Sequence, residues 1–92
     1  MAVEVRVPSV LRGVTGGEKV VRGSGETISQ LITDLDERFP GLRGQLVEAD
    51  GKLRKFVNVY VNDEDIRYTG QLETPVRAGD VVSILPAIAG GG

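Results

Sequence analysis

The chain has 92 residues, 40% of them hydrophobic and 26% charged, with a formal net charge of -2. That is room for one domain with a single small core, and the interspersed charges lack the basic face expected of a nucleic-acid binder. Cysteine and histidine are absent, which removes disulfides, thiolate nucleophiles, the usual zinc ligands and the side chain best matched to proton transfer near neutral pH, so catalysis by this chain alone is not expected.

Val3, Val5 and Val7 alternate with Glu4 and Arg6, the pattern of a half-buried strand, and Pro8 closes it. This opening reads as a strand rather than a secretion signal, and no apolar run reaches the length of a membrane helix, so a cytoplasmic protein without a membrane partner is expected. Gly13, Gly16 and Gly17 mark a loop, and Glu18 to Arg22 reads as a second strand, hairpin partner of the first. Gly23-Ser24-Gly25 breaks it. Neither glycine cluster carries the Gly-Lys-Ser/Thr of a phosphate loop or the third glycine of a dinucleotide fingerprint, so both read as turn chemistry.

Thr27 to Phe39 is the one clear helix. Thr27 is answered by Gln30 in a capping box, and Ile28, Leu31, Ile32, Leu35 and Phe39 form a single apolar stripe. Pro40-Gly41 stops it. Leu42 to Leu53 reads as irregular, anchored by Leu46 and Val47, with a turn at Asp50-Gly51. Phe56 to Val61 is the strongest strand, with Val57, Val59 and Val61 on one side and Phe56, Asn58 and Tyr60 on the other. Asn62 to Asp65 turns the chain; it lacks the spacing and glycine of a calcium loop. Ile66-Arg67-Tyr68 is expected to resume as a brief strand, and Leu72, Pro75 and Val76 make an irregular return to the Ala78-Gly79-Asp80 turn.

The last strand alternates Val82 and Ile84 with Ser83, and Pro86 is expected to end regular pairing. Beyond it runs Ala87-Ile88-Ala89-Gly90-Gly91-Gly92. Six extended residues reach roughly 20 Å at about 3.3 Å each, and residues without a Cβ fit channels too narrow for others. The element order predicts an α+β fold, a sheet packed on one main helix, with residues 1–86 as the body and 87–92 as a flexible tail. The sheet face away from the helix is left for solvent or a partner, with Phe56, Tyr60 and Tyr68 as a candidate docking surface.

The segments from Phe56 to Arg67 and from Gly79 to Gly91, taken with the helix, resemble the ubiquitin-like sulfur carriers. That family includes the small subunit of molybdopterin synthase and the thiazole-pathway sulfur carrier. Val7-Pro8-Ser9-Val10-Leu11-Arg12 and Thr15-Gly16-Gly17 extend the likeness over nearly the whole chain, and it is strongest toward the cysteine-biosynthesis carriers of actinobacteria. The resemblance implies a β-grasp fold, with a mixed sheet packed on the helix, and a protein co-substrate rather than an enzyme. An E1-like, ATP-dependent activating enzyme would adenylate the terminal carboxylate, and a sulfurtransferase or other sulfur donor would convert it to a thiocarboxylate. In the cysteine branch that group adds to an aminoacrylate held on pyridoxal phosphate by a cysteine synthase, and a metalloprotease releases the product. ATP, pyridoxal phosphate and zinc belong to those partners; the chain, expected to be a monomer alone, carries no cofactor. Ala87, Ile88, Ala89 and Gly90 would thread into the partner. The family pattern ends on two glycines and this chain on three, so Gly91 and Gly92 share the reactive assignment, with trimming of Gly92 as one route. Alternatives are sulfur donation to molybdopterin or other metabolites, a ubiquitin-like modifier joined to lysines, and a plain interaction module.

Overall fold

The alternating valines at the start form β1 (Val3–Arg6), with Val3 and Val5 buried and Arg6 exposed. The structure, a computed structural model, describes residues 2–86. β2 (Val20–Gly23) is the hairpin partner, antiparallel to β1 with Val5 opposite Val21. After α1 (Ile28–Arg38) and α2 (Leu42–Leu46) come β3 (Val57–Val61), β4 (Glu64–Asp65) and β5 (Val81–Pro86). The sheet order is β2-β1-β5-β3-β4. β5 runs parallel to β1 and antiparallel to β3, so the sheet is mixed and the last strand lies at its centre. No helix among the described residues is long and apolar enough to cross a membrane.

α1 starts where its cap dictates. Thr27 Oγ1 accepts from Gln30 N at 3.2 Å, and Gln30 Oε1 accepts from Glu26 N at 2.9 Å, one residue upstream of the usual capping-box donor. Thr27→Ala is expected to lower stability by about 1 kcal/mol, read as a reduced denaturation midpoint. The predicted stripe faces the sheet: Ile28, Leu31, Ile32 and Leu35 are buried in one cluster with Val3, Val5, Val59, Val82 and Ile84, while Phe39 packs half-buried at its margin. Two polar clips fix α1 against the outer edge of β2. Arg38 Nη2 donates to Arg22 O at 2.7 Å and pairs with Asp34 at 2.8 Å, and Asp34 accepts from Ser24 N at 2.9 Å. An otherwise unpaired strand edge is thereby partly covered.

Gly23 and Gly25 do more than turn the chain. A Cβ on Gly25 would lie 2.6 Å from the backbone nitrogen of Leu31 and 2.9 Å from the carbonyl carbon of Gln30. The absence of a side chain is what lets the loop press against the first turns of α1. Gly25→Ala must move backbone and is expected to cost about 1–3 kcal/mol. Gly44→Ala, in α2 with nothing within 4 Å of the new methyl, should instead stabilise by up to about 1 kcal/mol through helix propensity. Opposite shifts of the two thermal midpoints would distinguish close packing from a general glycine effect.

Two expectations need correction. The Leu42–Leu53 stretch is not irregular throughout, since Leu42–Leu46 forms α2 with both leucines at 0% exposure. Asp36 Oδ1 anchors its start by accepting from Gly41 N at 3.2 Å and Arg43 N at 3.0 Å. Ile66-Arg67-Tyr68 is a 3₁₀ turn rather than a strand, and β3 pairs instead with Glu64–Asp65. Asn62 (φ 49°) and Asp63 (φ 73°) form the two-residue turn between them, the left-handed pair that matches the twist of a hairpin. Asp65 Oδ1 then accepts from Arg67 N at 2.9 Å and tightens the chain into the 3₁₀ turn.

Pro86, expected to end regular pairing, is the last residue of β5 and lies opposite Val57. Asn62 N donates to Val81 O at 2.8 Å. The alternation of an antiparallel ladder then makes Tyr60–Ser83 and Asn58–Leu85 the hydrogen-bonded pairs and Val57–Pro86 a non-bonded one. On the other flank β1 has already ended at Arg6. Proline's missing donor therefore costs the sheet nothing at this position.

Candidate functional site

The candidate site is the end of β5. Its beginning is fixed by the Gly79-Asp80 turn, and each side chain there has a structural task. Gly79 takes φ +93°, open to glycine without strain. Asp80 Oδ2 accepts from Arg77 N at 2.9 Å, and Asp80 Oδ1 accepts from Asn62 Nδ2 at 3.0 Å. Asn62 Oδ1 in turn accepts from Val81 N at 3.0 Å, which ties the β3–β4 hairpin to the first residue of β5. The strand is then gripped on both sides from Val81 to Ser83 and by β3 alone from Ile84 to Pro86. The central strand thus delivers Pro86 at a set place on the molecule.

Two grooves flank that place, and both are lined by Pro8, Ile84 and Leu85. Arg6, Arg12, Lys19 and Tyr60 line the first. Val10, Gln45, Arg54, Lys55, Phe56 and Pro86 line the second. Of the proposed docking residues, Tyr60 is half-buried on β3, and Phe56 precedes that strand with 63% of its surface exposed. Tyr68 is 89% exposed but stands apart, on the 3₁₀ turn beside Lys52, Arg67 and Gln71. It is not on the sheet face, contrary to expectation. Ala87, Ile88, Ala89, Gly90, Gly91 and Gly92, the residues assigned to threading and to the reactive terminus, lie outside the described residues.

Sequence reasoning passed over Arg12 and Arg54. Arg12 Nε donates to Val7 O at 3.2 Å, and Arg54 Nε donates to Gly44 O at 2.9 Å. Each guanidinium is braced through one nitrogen while its two terminal nitrogens make no bond within the described fold. The ion pairs among the described residues are Arg6–Glu4 and Arg38–Asp34, so neither Arg12 nor Arg54 has a carboxylate partner there. Arg67 contrasts with both, because its Nη1 donates to Asn58 Oδ1 at 2.7 Å and its Nη2 to Val57 O at 2.9 Å. It belongs to the scaffold that holds the start of β3.

A five-stranded mixed sheet folded round one main helix, with the central strand last in the chain, defines a ubiquitin-like β-grasp protein. A chain of the crystallised Amycolatopsis orientalis BexX/CysO complex superposes with a TM-score of 0.91 at 50% identity, covering 98% of this chain and 100% of that one. The crystal structure of Mycobacterium tuberculosis CysO matches with a TM-score of 0.90 at 46% identity, over 94% of this chain and 99% of its own. By sequence, the Mycobacterium bovis sulfur carrier protein CysO is 48% identical, over 99% of this chain and all of its own length. The ThiS family profile matches residues 5–91, and this chain belongs to the ThiS family.

Proposed function

We propose that this protein is a sulfur carrier for cysteine biosynthesis, acting as a protein co-substrate through the carboxyl group at its glycine end. The observation that carries the reading is end-to-end similarity to a protein named as a sulfur carrier, with the match extending through the tail residues. The body contributes position: β5 brings the chain past Ile84 and Leu85, where the two grooves meet, to Pro86, and a chain of six further residues spans at most roughly 20 Å.

The chemistry follows from what a carboxylate lacks. Its oxygen is a poor leaving group, so acyl transfer needs activation. In the first step a carboxylate oxygen of Gly91 or Gly92 attacks the α-phosphorus of ATP on an E1-like activating enzyme, and pyrophosphate departs. Sulfide then attacks the acyl carbon, and AMP leaves with the bonding electron pair. A sulfurtransferase persulfide would instead form an acyl disulfide, from which a second thiol, by attacking the sulfurtransferase sulfur, releases the thiocarboxylate and is itself left in a disulfide. The resulting thiocarboxylate is more nucleophilic than the carboxylate and adds to a conjugated acceptor held by a cysteine synthase. A metalloprotease would separate the product from the tail. Glycines suit every step, since each enzyme must pass the same end through a channel to its reacting centre.

Intact-mass measurement after incubation with ATP, the activating enzyme and a sulfur source tests the reading. The expected product is about 16 Da heavier, one oxygen replaced by sulfur, and prior trimming of Gly92 would appear as a loss of about 57 Da. A terminus that stays unmodified with active enzyme present would refute it, and accumulation of chain-bearing isopeptide conjugates would instead mark a protein modifier.

A further inference from the structure

The chain is acidic, yet the ground around the root of its tail is not. Eleven Lys and Arg stand against thirteen Asp and Glu in the whole sequence. Five of those cations, Arg6, Arg12, Lys19, Arg54 and Lys55, line the two grooves that meet at Pro8, Ile84 and Leu85, against Asp63 and Glu48 as the acids among the described lining residues. Elsewhere six cations therefore face eleven acids. Residues from well-separated parts of the chain make this collar, because β5 inserts between β1 and β3 and draws both neighbours to its end.

We propose that this basic collar docks onto a carboxylate-lined rim round the channel by which a partner protein receives the tail. The inference rests on the tail-carrier reading for why a partner approaches here; its chemistry rests on the collar. Arg12 and Arg54 flank the tail root with their Nε atoms occupied by backbone carbonyls and their terminal nitrogens unpaired among the described residues. An arginine held in that way loses little side-chain freedom when a carboxylate accepts its forked donors. Lys19 and Lys55 are exposed and add long-range attraction. A protein rim fits better than nucleic acid. Leu85, Phe56 and Val10 are exposed among the cations, at 47%, 63% and 70%, and such an apolar centre with a charged margin is the anatomy of a protein interface. The acidic remainder of the chain would also repel a polyanion longer than the collar.

The test is the rate of terminal adenylation by the activating enzyme at low and high salt. It compares the native chain with Arg12→Glu/Arg54→Glu and with Lys19→Glu/Lys55→Glu, whose lysine side chains make no bond in the described fold. Thermal unfolding of each variant checks that it is folded. The expected result is a kcat/KM for the chain reduced about tenfold or more at low salt with kcat nearly unchanged, the difference shrinking as salt rises. Native rates in both variants would overturn the collar and leave the sulfur-carrier reading intact. An unmodified terminus in the native chain removes that reading instead, and the collar is then judged by titrating isotope-labelled protein with deca-glutamate and with deca-thymidylate. Amide shifts centred on Ser9–Arg12 and Arg54–Val57 with the peptide support the collar. Shifts centred elsewhere, or a stronger response to the oligonucleotide, overturn it.

Discussion

Deleting Gly91 and Gly92 is expected to abolish sulfur loading while leaving the unfolding free energy within about 0.5 kcal/mol of the native value. The two halves of that expectation have separate causes. The buried core of the described residues runs from Val3 to Ile84, and pairing of β5 reaches Pro86, so the core and sheet contacts described for the body lie upstream of the deletion. The shortened chain still ends in a carboxyl group, and its intrinsic reactivity is unchanged. What changes is where that group sits. With four residues beyond Pro86 in place of six, the reach falls from roughly 20 Å to roughly 13 Å, a shortfall far larger than the misplacement of about 1 Å that can cost a hundredfold in rate. Deleting Gly92 alone separates the candidate acyl groups: native loading would assign the reaction to Gly91, and loss of loading would assign it to Gly92. The measurement is intact mass after incubation with ATP and a sulfur source, with the denaturation midpoint recorded in parallel. Substantial loading of the double deletion would refute the assignment of the terminal glycines.

How much of this was legible in the sequence depends on the range of the forces involved. α1 was readable because its cap and its stripe are local, and Thr27, Leu31 and Leu35 stand where the pattern puts them. α2 was not, because five residues containing Gly44 give no periodicity, and its start depends on Asp36 reaching back from the preceding helix. β4 is the reverse case, two acidic residues made into a strand by the backbone geometry of Asn62 and Asp63 rather than by any burial preference. Pro86 could be read as the end of the strand, but its own rung opposite Val57 could not, because proline's cost depends on which way its nitrogen faces in the ladder, and register is not written in composition. At the candidate site the glycine tail could be read directly, since a glycine run next to a strand needs no tertiary information to be noticed. The collar could not. Arg12 and Arg54 are far apart in the chain, and their braces are to the carbonyls of Val7 and Gly44, so the cluster exists only once β5 is in place.

Leu35→Ala is expected to be the most costly single change in the body, toward the upper end of the roughly 2–5 kcal/mol seen when a buried leucine is truncated. That is a large share of the roughly 5–14 kcal/mol available to a chain of this size. Leu35 is 1% exposed and packs so tightly over β2 that a Cβ on Gly23 would lie 2.9 Å from its Cδ2. The gap left by truncation resists collapse. Gly23 has no side chain to swing into it, and the Arg38–Arg22 and Asp34–Ser24 clips hold α1 at its present distance from β2. A cavity that cannot relax keeps its full cost, so the denaturation midpoint should fall without a change in the denaturant slope. The double variant Gly23→Ala/Leu35→Ala checks the geometry. Alone, Gly23→Ala meets both Leu31 and Leu35; with Leu35 truncated, the new methyl occupies part of the space the leucine vacated. The pair should therefore cost about 0.5–3 kcal/mol less than the two single changes added together. Strict additivity would mean that Leu35 does not pack against β2 as described. Loading of the tail supplies a second reading of the same variant: measured where Leu35→Ala is still folded, it should match the native rate, because the core sets how often the platform exists and the terminal acyl group sets what it does. A loading defect that persists in fully folded Leu35→Ala would mean instead that the packing of α1 reaches the site through the sheet.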